Sequence, residues 1–131
     1  MKNILEKANT YFTENLHGSI TDMKNMQRII DLFVNKYGFE IVELYCEERS
    51  VGLVLEYASD KVIFDFYANG KVSFYVSVFT EEFEFCDFYG NPNFAPEGRC
   101  EYETSGYLSA EDIEECYKNF MQDQGLASLV G

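Results

Sequence analysis

The chain has 131 residues, 47% of them apolar and 17% aromatic, which is enough for a buried core and too hydrophobic for intrinsic disorder. Twenty-three acidic residues against ten basic ones give a net charge of −13, which argues against direct binding to nucleic acid or an anionic membrane, since phosphate affinity needs Lys and Arg. No apolar run approaches the roughly 20 residues of a membrane helix. Glu6 and Lys7 interrupt the apolar stretch that a signal peptide would need, so the expectation is one cytosolic α+β domain over residues 1–131.

Ile4, Leu5, Ala8, Tyr11, Phe12 and Leu16 recur at spacings of three and four, predicting a helix over 3–16. His17-Gly18 ends it, with Gly18 suited to the left-handed closing position. Met23, Met26, Ile30, Phe33, Val34 and Tyr37 predict a second helix over 22–37, capped by Thr21 and stopped by Gly38.

From Phe39 the period becomes two. Strands are predicted at about 39–47, 51–58, 61–67, 71–80 and 82–89, and their short links imply an antiparallel meander. The phase of the first strand is open, because Val42, Leu44 and Cys46 compete with Ile41 and Tyr45 for the core. A three-residue loop, Ala68-Asn69-Gly70, sets Phe66 opposite Val72, Phe64 opposite Phe74 and Val62 opposite Val76, with Gly70 in a G1 bulge. That register makes one continuous apolar face: Leu53, Leu55, Tyr57, Val62, Phe64, Phe66, Val72, Phe74, Val76 and Val78, continued by Phe83 and Phe85. The helices should cover it.

Residues 90–108 hold both prolines, and Cys100 to Thr104 alternate as a possible sixth, edge strand. Ser109 caps a last helix, with Asp112 as the acidic partner of a capping box. Ile113, Cys116, Tyr117, Phe120 and Met121 form its stripe and Gly125 ends it. The fold class is therefore α+β: a helical pair, an antiparallel sheet of five or six strands, and a C-terminal helix on one sheet face.

No motif for catalysis, metal or cofactor is found, and none is expected. Cys46, Cys86, Cys100 and Cys116 fit no zinc spacing and read as reduced structural thiols, with Cys46 and Cys116 at apolar positions. The lone histidine, His17, reads as a helix-end residue rather than a general base. The clusters Glu81-Glu82-x-Glu84 and Glu111-Asp112-x-Glu114-Glu115 lack the pattern of a calcium loop.

What stands out is where the charge lies. Residues 1–40 hold five bases and five acids, so the entire excess falls in 41–131. There, acids alternate with tyrosines on the outer sheet face, in the long loop and on the last helix. The candidate partner-binding residues are Tyr75, Glu82, Glu84, Asp87 and Glu97, then Glu101, Tyr102, Glu103, Tyr107, Glu111 and Asp112. The plain alternative is a solvated surface, although such surfaces usually mix the two signs. Carboxylates in rows can imitate phosphates, and tyrosine supplies contact area and stacks on arginine.

The expected function is a non-enzymatic acidic inhibitor of a basic protein, such as a nuclease or other nucleic-acid-binding protein. Toxin immunity and phage anti-defence, including anti-CRISPR action, are both suitable settings. The alternative is a small acidic secretion chaperone, usually dimeric, holding an effector segment. Monomer and dimer are both open.

Overall fold

The computed structural model describes residues 4–79, 84–86, 92–94 and 99–123, with side chains for 4–78 and 100–122. The expectations for Glu81, Glu82, Phe83, Asp87, Glu97 and Gly125 lie outside the described residues.

Helix α1 (Ile4–Thr10) widens into a π-turn over Tyr11–Asn15, and α2 (Ile20–Asp31) does the same over Leu32–Lys36. Each ends in a wide loop-back bond: the Gly18 N–H donates to the Phe12 carbonyl and the Phe39 N–H to the Phe33 carbonyl, both at 2.9 Å. A left-handed residue makes each closure possible. In α2 it is Gly38 (φ 78°), as predicted. In α1 it is His17 (φ 59°), which corrects the expectation for Gly18. Gly18 is needed for a different reason, because a Cβ there would run into the Phe12 ring.

The cap of α2 is also corrected. Ser19, not Thr21, holds the extended N-cap conformation and accepts from the Asp22 N–H at 3.0 Å. The helix thus begins earlier than its apolar stripe, and Asp22 falls in the first turn where the dipole favours an anion.

Five antiparallel strands form the main sheet: β1 (Glu40–Cys46), β2 (Ser50–Tyr57), β3 (Asp60–Tyr67), β4 (Val72–Phe79) and β7 (Arg99–Gly106). They are hydrogen-bonded neighbours in that order. The hairpin register is the predicted one, with Phe66 facing Val72, Phe64 facing Phe74 and Val62 facing Val76. At its turn Gly70 has φ 94°, the Gly70 N–H donates to the Tyr67 carbonyl, and the Tyr67 N–H donates to the Lys71 carbonyl.

The meander stops after β4. Within the predicted strand 82–89, only β5 (Glu84–Cys86) is described as strand, and it pairs with β6 (Pro92–Phe94) in a separate ribbon. The place beside β4 goes to β7, the stretch read from sequence as a possible edge strand. With 19 residues between β4 and β7, the chain has length enough to leave the sheet and return.

The described helices all lie on one sheet face. Met26, Ile29, Ile30 and Phe33 of α2, with Ile113, Tyr117 and Phe120 of α3 (Ala110–Asp123), bury Leu53, Leu55, Val62, Phe64, Phe74 and Val76. Tyr57, expected in the core, is 53% exposed because it ends its strand, and among the described rings it meets only Phe39. Cys46 is exposed at the end of β1, which corrects its assignment as a buried thiol.

The ambiguity in β1 has a structural answer. Ile41 faces Leu55 and Leu44 faces Leu53, both on the core side, although they are three residues apart. A bulge at Val42 takes up the extra residue and leaves Val42 exposed. Both competing phases are therefore used, one on each side of the bulge.

Helix α3 is tied to α2 by charge. Arg28 pairs with Glu111, while Glu114 accepts from Lys36 at 2.5 Å and from the Tyr37 hydroxyl at 2.8 Å. Its N-terminus carries the predicted capping box: the Ser109 N–H donates to Asp112 Oδ2 at 3.0 Å, and the Asp112 N–H to Ser109 Oγ at 3.2 Å. No described helix is long and apolar enough to cross a membrane.

Candidate functional site

No described helix covers the second face of the sheet. Strand register arranges its side chains in rows. One row runs Glu40, Glu56, Lys61, Ser77, Glu101 and the next runs Glu43, Val54, Ile63, Tyr75, Glu103. A third runs Tyr45, Gly52, Asp65, Ser73, Ser105. Together they hold six carboxylates and one lysine. Lys61 lies 4.0 Å from Glu56 with both side chains nearly half exposed, so it offsets little of the charge.

The edges carry most of the acid. Glu101 and Glu103 on β7 are two residues apart, a spacing of about 6.7 Å, and β1 lies four strand gaps away, roughly 19 Å. The Tyr75 hydroxyl donates to Glu101 Oε1 at 2.6 Å and fixes that carboxylate. Across the sheet, a hydrogen bond to Glu43 holds the Tyr45 hydroxyl above its usual pKa. A shallow depression of about 400 Å³ lies at one end, lined by Glu56, Lys61, Tyr75, Ser77 and Glu101 among others.

Asp65 differs from the edge acids. It is half-buried in the middle strand, and its carboxylate lies over Gly52: a Cβ on Gly52 would sit 2.9 Å from Asp65 Oδ1 and 3.3 Å from the Tyr45 Cβ. Glycine at 52 is what lets the carboxylate lie down on β2. Burial, then the nearby charge of Glu47, raises the Asp65 pKa. A carboxyl whose folded pKa is raised contributes stability below its unfolded value, near 3.8, which is lost as pH rises through the folded value. At neutral pH the ionised Asp65 therefore opposes folding. Asp65→Asn is expected to raise the urea midpoint at pH 7 and to lose that advantage near pH 3. A lower midpoint at pH 7 would contradict it.

The structure sorts the predicted site residues into groups. Tyr75, Glu101 and Glu103 come together on the outer face, with Glu56 and Asp65. Tyr102 does not join them. It points to the helix side, stacks on Phe120 at 5.7 Å and meets Phe74 edge-on at 6.3 Å, because it alternates with Glu101 and Glu103 on the same strand. Glu111 and Asp112 sit on the helix layer and are engaged there, one with Arg28 and the other as a cap. Hydrogen bonds from Ser109 hold the Asp112 carboxyl below its usual range. Tyr107 is 75% exposed in the link between β7 and α3, beside Lys24 and Arg28, far from a purely acidic setting. Glu84 is placed only as a backbone position in β5. Glu82, Asp87 and Glu97 lie outside the described residues.

Glu40, Glu43 and Tyr45 were missed by sequence reasoning. The bulge hid their phase, although the two apolar residues three apart, Ile41 and Leu44, were a visible sign of it.

Among the described residues no three His, Cys, Asp or Glu side chains converge to hold a metal ion. The thiols of Cys46, Cys100 and Cys116 are free. No family model, curated protein or solved structure matches the chain.

Proposed function

We propose that this chain is a non-enzymatic acidic inhibitor that works in the cytosol by occupying the basic cleft of a protein that binds nucleic acid, a nuclease being the first example. Toxin immunity and phage anti-defence are the two settings that suit it. The observation that supports this reading is the outer sheet face, with six carboxylates and one lysine spread over about 19 Å of sheet. Two edge rows of carboxylates present separated lines of negative charge, as the two strands of a duplex do. Inhibition would be steric: a cleft filled by this face cannot hold its substrate.

Like-signed charge on a broad face acts mainly on the rate of encounter. The double variant Glu101→Lys/Glu103→Lys is expected to associate with the partner about tenfold more slowly or worse at low salt. Both side chains are exposed on the edge strand, so its unfolding midpoint should stay near that of the wild type. The partner is to be recovered by pull-down at low salt, identified, and shown to be competed off by duplex DNA. Association of the double variant at the wild-type rate would overturn the proposal.

A further inference from the structure

The edge acids explain attraction to a basic protein, but they do not explain the middle of the face. There Val54, Ile63 and Tyr75 sit side by side on three neighbouring strands and form an apolar ridge. Val54 is only 5% exposed beneath its neighbours, whereas Ile63 and Tyr75 are partly exposed. Carboxylates surround the ridge: Glu43 and Glu103 at its ends, Glu56 and Glu101 along one side, Asp65 along the other. An apolar centre inside a charged rim is the anatomy of a protein–protein contact. Pure phosphate imitation has no use for the ridge.

We propose that this face seats an amphipathic basic element of a protein partner, its apolar side chains resting on Ile63 and Tyr75 and one arginine reaching Asp65. The inference rests on the proposed function and names the chemistry of its partner. Charge complementarity selects the occupant. A second copy of the chain would set six carboxylates against six, with one lysine from each side. Size agrees as well: five strands span roughly 19 Å, enough for a helix about 10–12 Å wide flanked by its long basic side chains. Among the described residues no cation pairs with Asp65, and the neighbouring charge that acts on it is the carboxylate of Glu47. An arginine arriving there would pair with a half-buried carboxylate and lie against the Tyr45 ring.

The test uses the full chain and two synthetic peptides of about 16 residues, roughly 24 Å as helix. One carries a leucine stripe flanked by arginines. The other keeps the arginines and replaces every leucine by serine. Amide NMR maps where each binds. The leucine peptide is expected to bind about tenfold more tightly at physiological salt, with the largest shifts at Ile63, Asp65 and Tyr75. Ile63→Thr, which keeps a β-branched side chain, and Asp65→Asn should each weaken it about fivefold. Equal binding of both peptides at low salt, lost equally on adding salt, would overturn this inference and leave the proposed function standing. Binding of the leucine peptide to the helix layer would also overturn it. Failure of both peptides to bind at low salt would remove the inference and the proposed function together.

Discussion

Phe33→Ala is expected to cost about 3–5 kcal/mol, the usual loss for a fully buried aromatic side chain. Phe33 is wholly buried and its ring meets five others: Tyr117 at 5.1 Å, Phe64 at 5.3 Å, Tyr37 and Phe39 at 5.5 Å, and Phe74 at 5.9 Å. Those partners come from the end of α2, the lead into β1, strands β3 and β4, and α3. One ring thus joins the helix layer to the middle of the sheet and α2 to α3. Removing it leaves a cavity that five rings on separate elements cannot all move to fill. Chains of this size have about 5–15 kcal/mol of stability, so the variant should lose a large share of it and show a much lower urea midpoint by circular dichroism. Phe33→Leu, which refills most of the volume, should recover more than half of the loss. An unfolding free energy for Phe33→Ala within about 1 kcal/mol of wild type would mean that the ring cluster does not hold the layers together.

Much of this core was legible in the sequence because two periods were clean. The alternation from Val62 to Val78, with a three-residue loop, allowed only one register that kept a continuous apolar face, and that register is the one observed. The stripe of α2 likewise placed Met26, Ile30 and Phe33 in the core. The misreadings have physical causes. Closure of α1 depends on φ at one residue, and histidine reaches the left-handed region often enough to displace the glycine beside it. The bulge at Val42 satisfied two phases where a regular strand permits one. The pairing of β7 with β4 depends on contacts across a long connection, to which local pattern is blind. The candidate site was half legible for the same reason. Alternation put Tyr75 outward once the hairpin was fixed, but Tyr102 was grouped with Glu101 and Glu103 on composition, whereas β-geometry sends adjacent residues to opposite faces. The charge count could not show that Glu111 and Glu114 on α3 pair with Arg28 and Lys36 across the helix layer, whereas the carboxylates of the outer sheet face have only Lys61 among them.

The second large effect is expected at high pH. Tyr117 is buried against Phe33 and against Tyr37 at 4.9 Å, and burial, then the charge of Asp60, pushes its hydroxyl from the ordinary 10.0 up to about 12. Tyr37 is raised in the same direction, first by burial and then by its hydrogen bond to Glu114. Both phenols are therefore held neutral by the fold. A group whose folded pKa lies above its unfolded value contributes fully below the unfolded value and loses that contribution as pH rises through the folded one. For Tyr117 the window runs from pH 10 to about 12, where the unfolded chain has released the proton and the folded chain has not. A tenfold change in proton affinity is worth about 1.4 kcal/mol, and solvent near the hydroxyl screens part of it, so Tyr117 alone should remove roughly 1–2 kcal/mol across the window. Lysine deprotonation and the repulsion of an already acidic chain also act there, but equally in wild type and in Tyr117→Phe. The phenylalanine variant keeps the ring contacts and has no proton to lose. Its urea midpoint should match the wild type near pH 8 and exceed it by pH 11.5, the gap opening above pH 10. Parallel loss of stability in the two proteins would show that Tyr117 is solvated, and that the α2–α3 seam beside it is open to water.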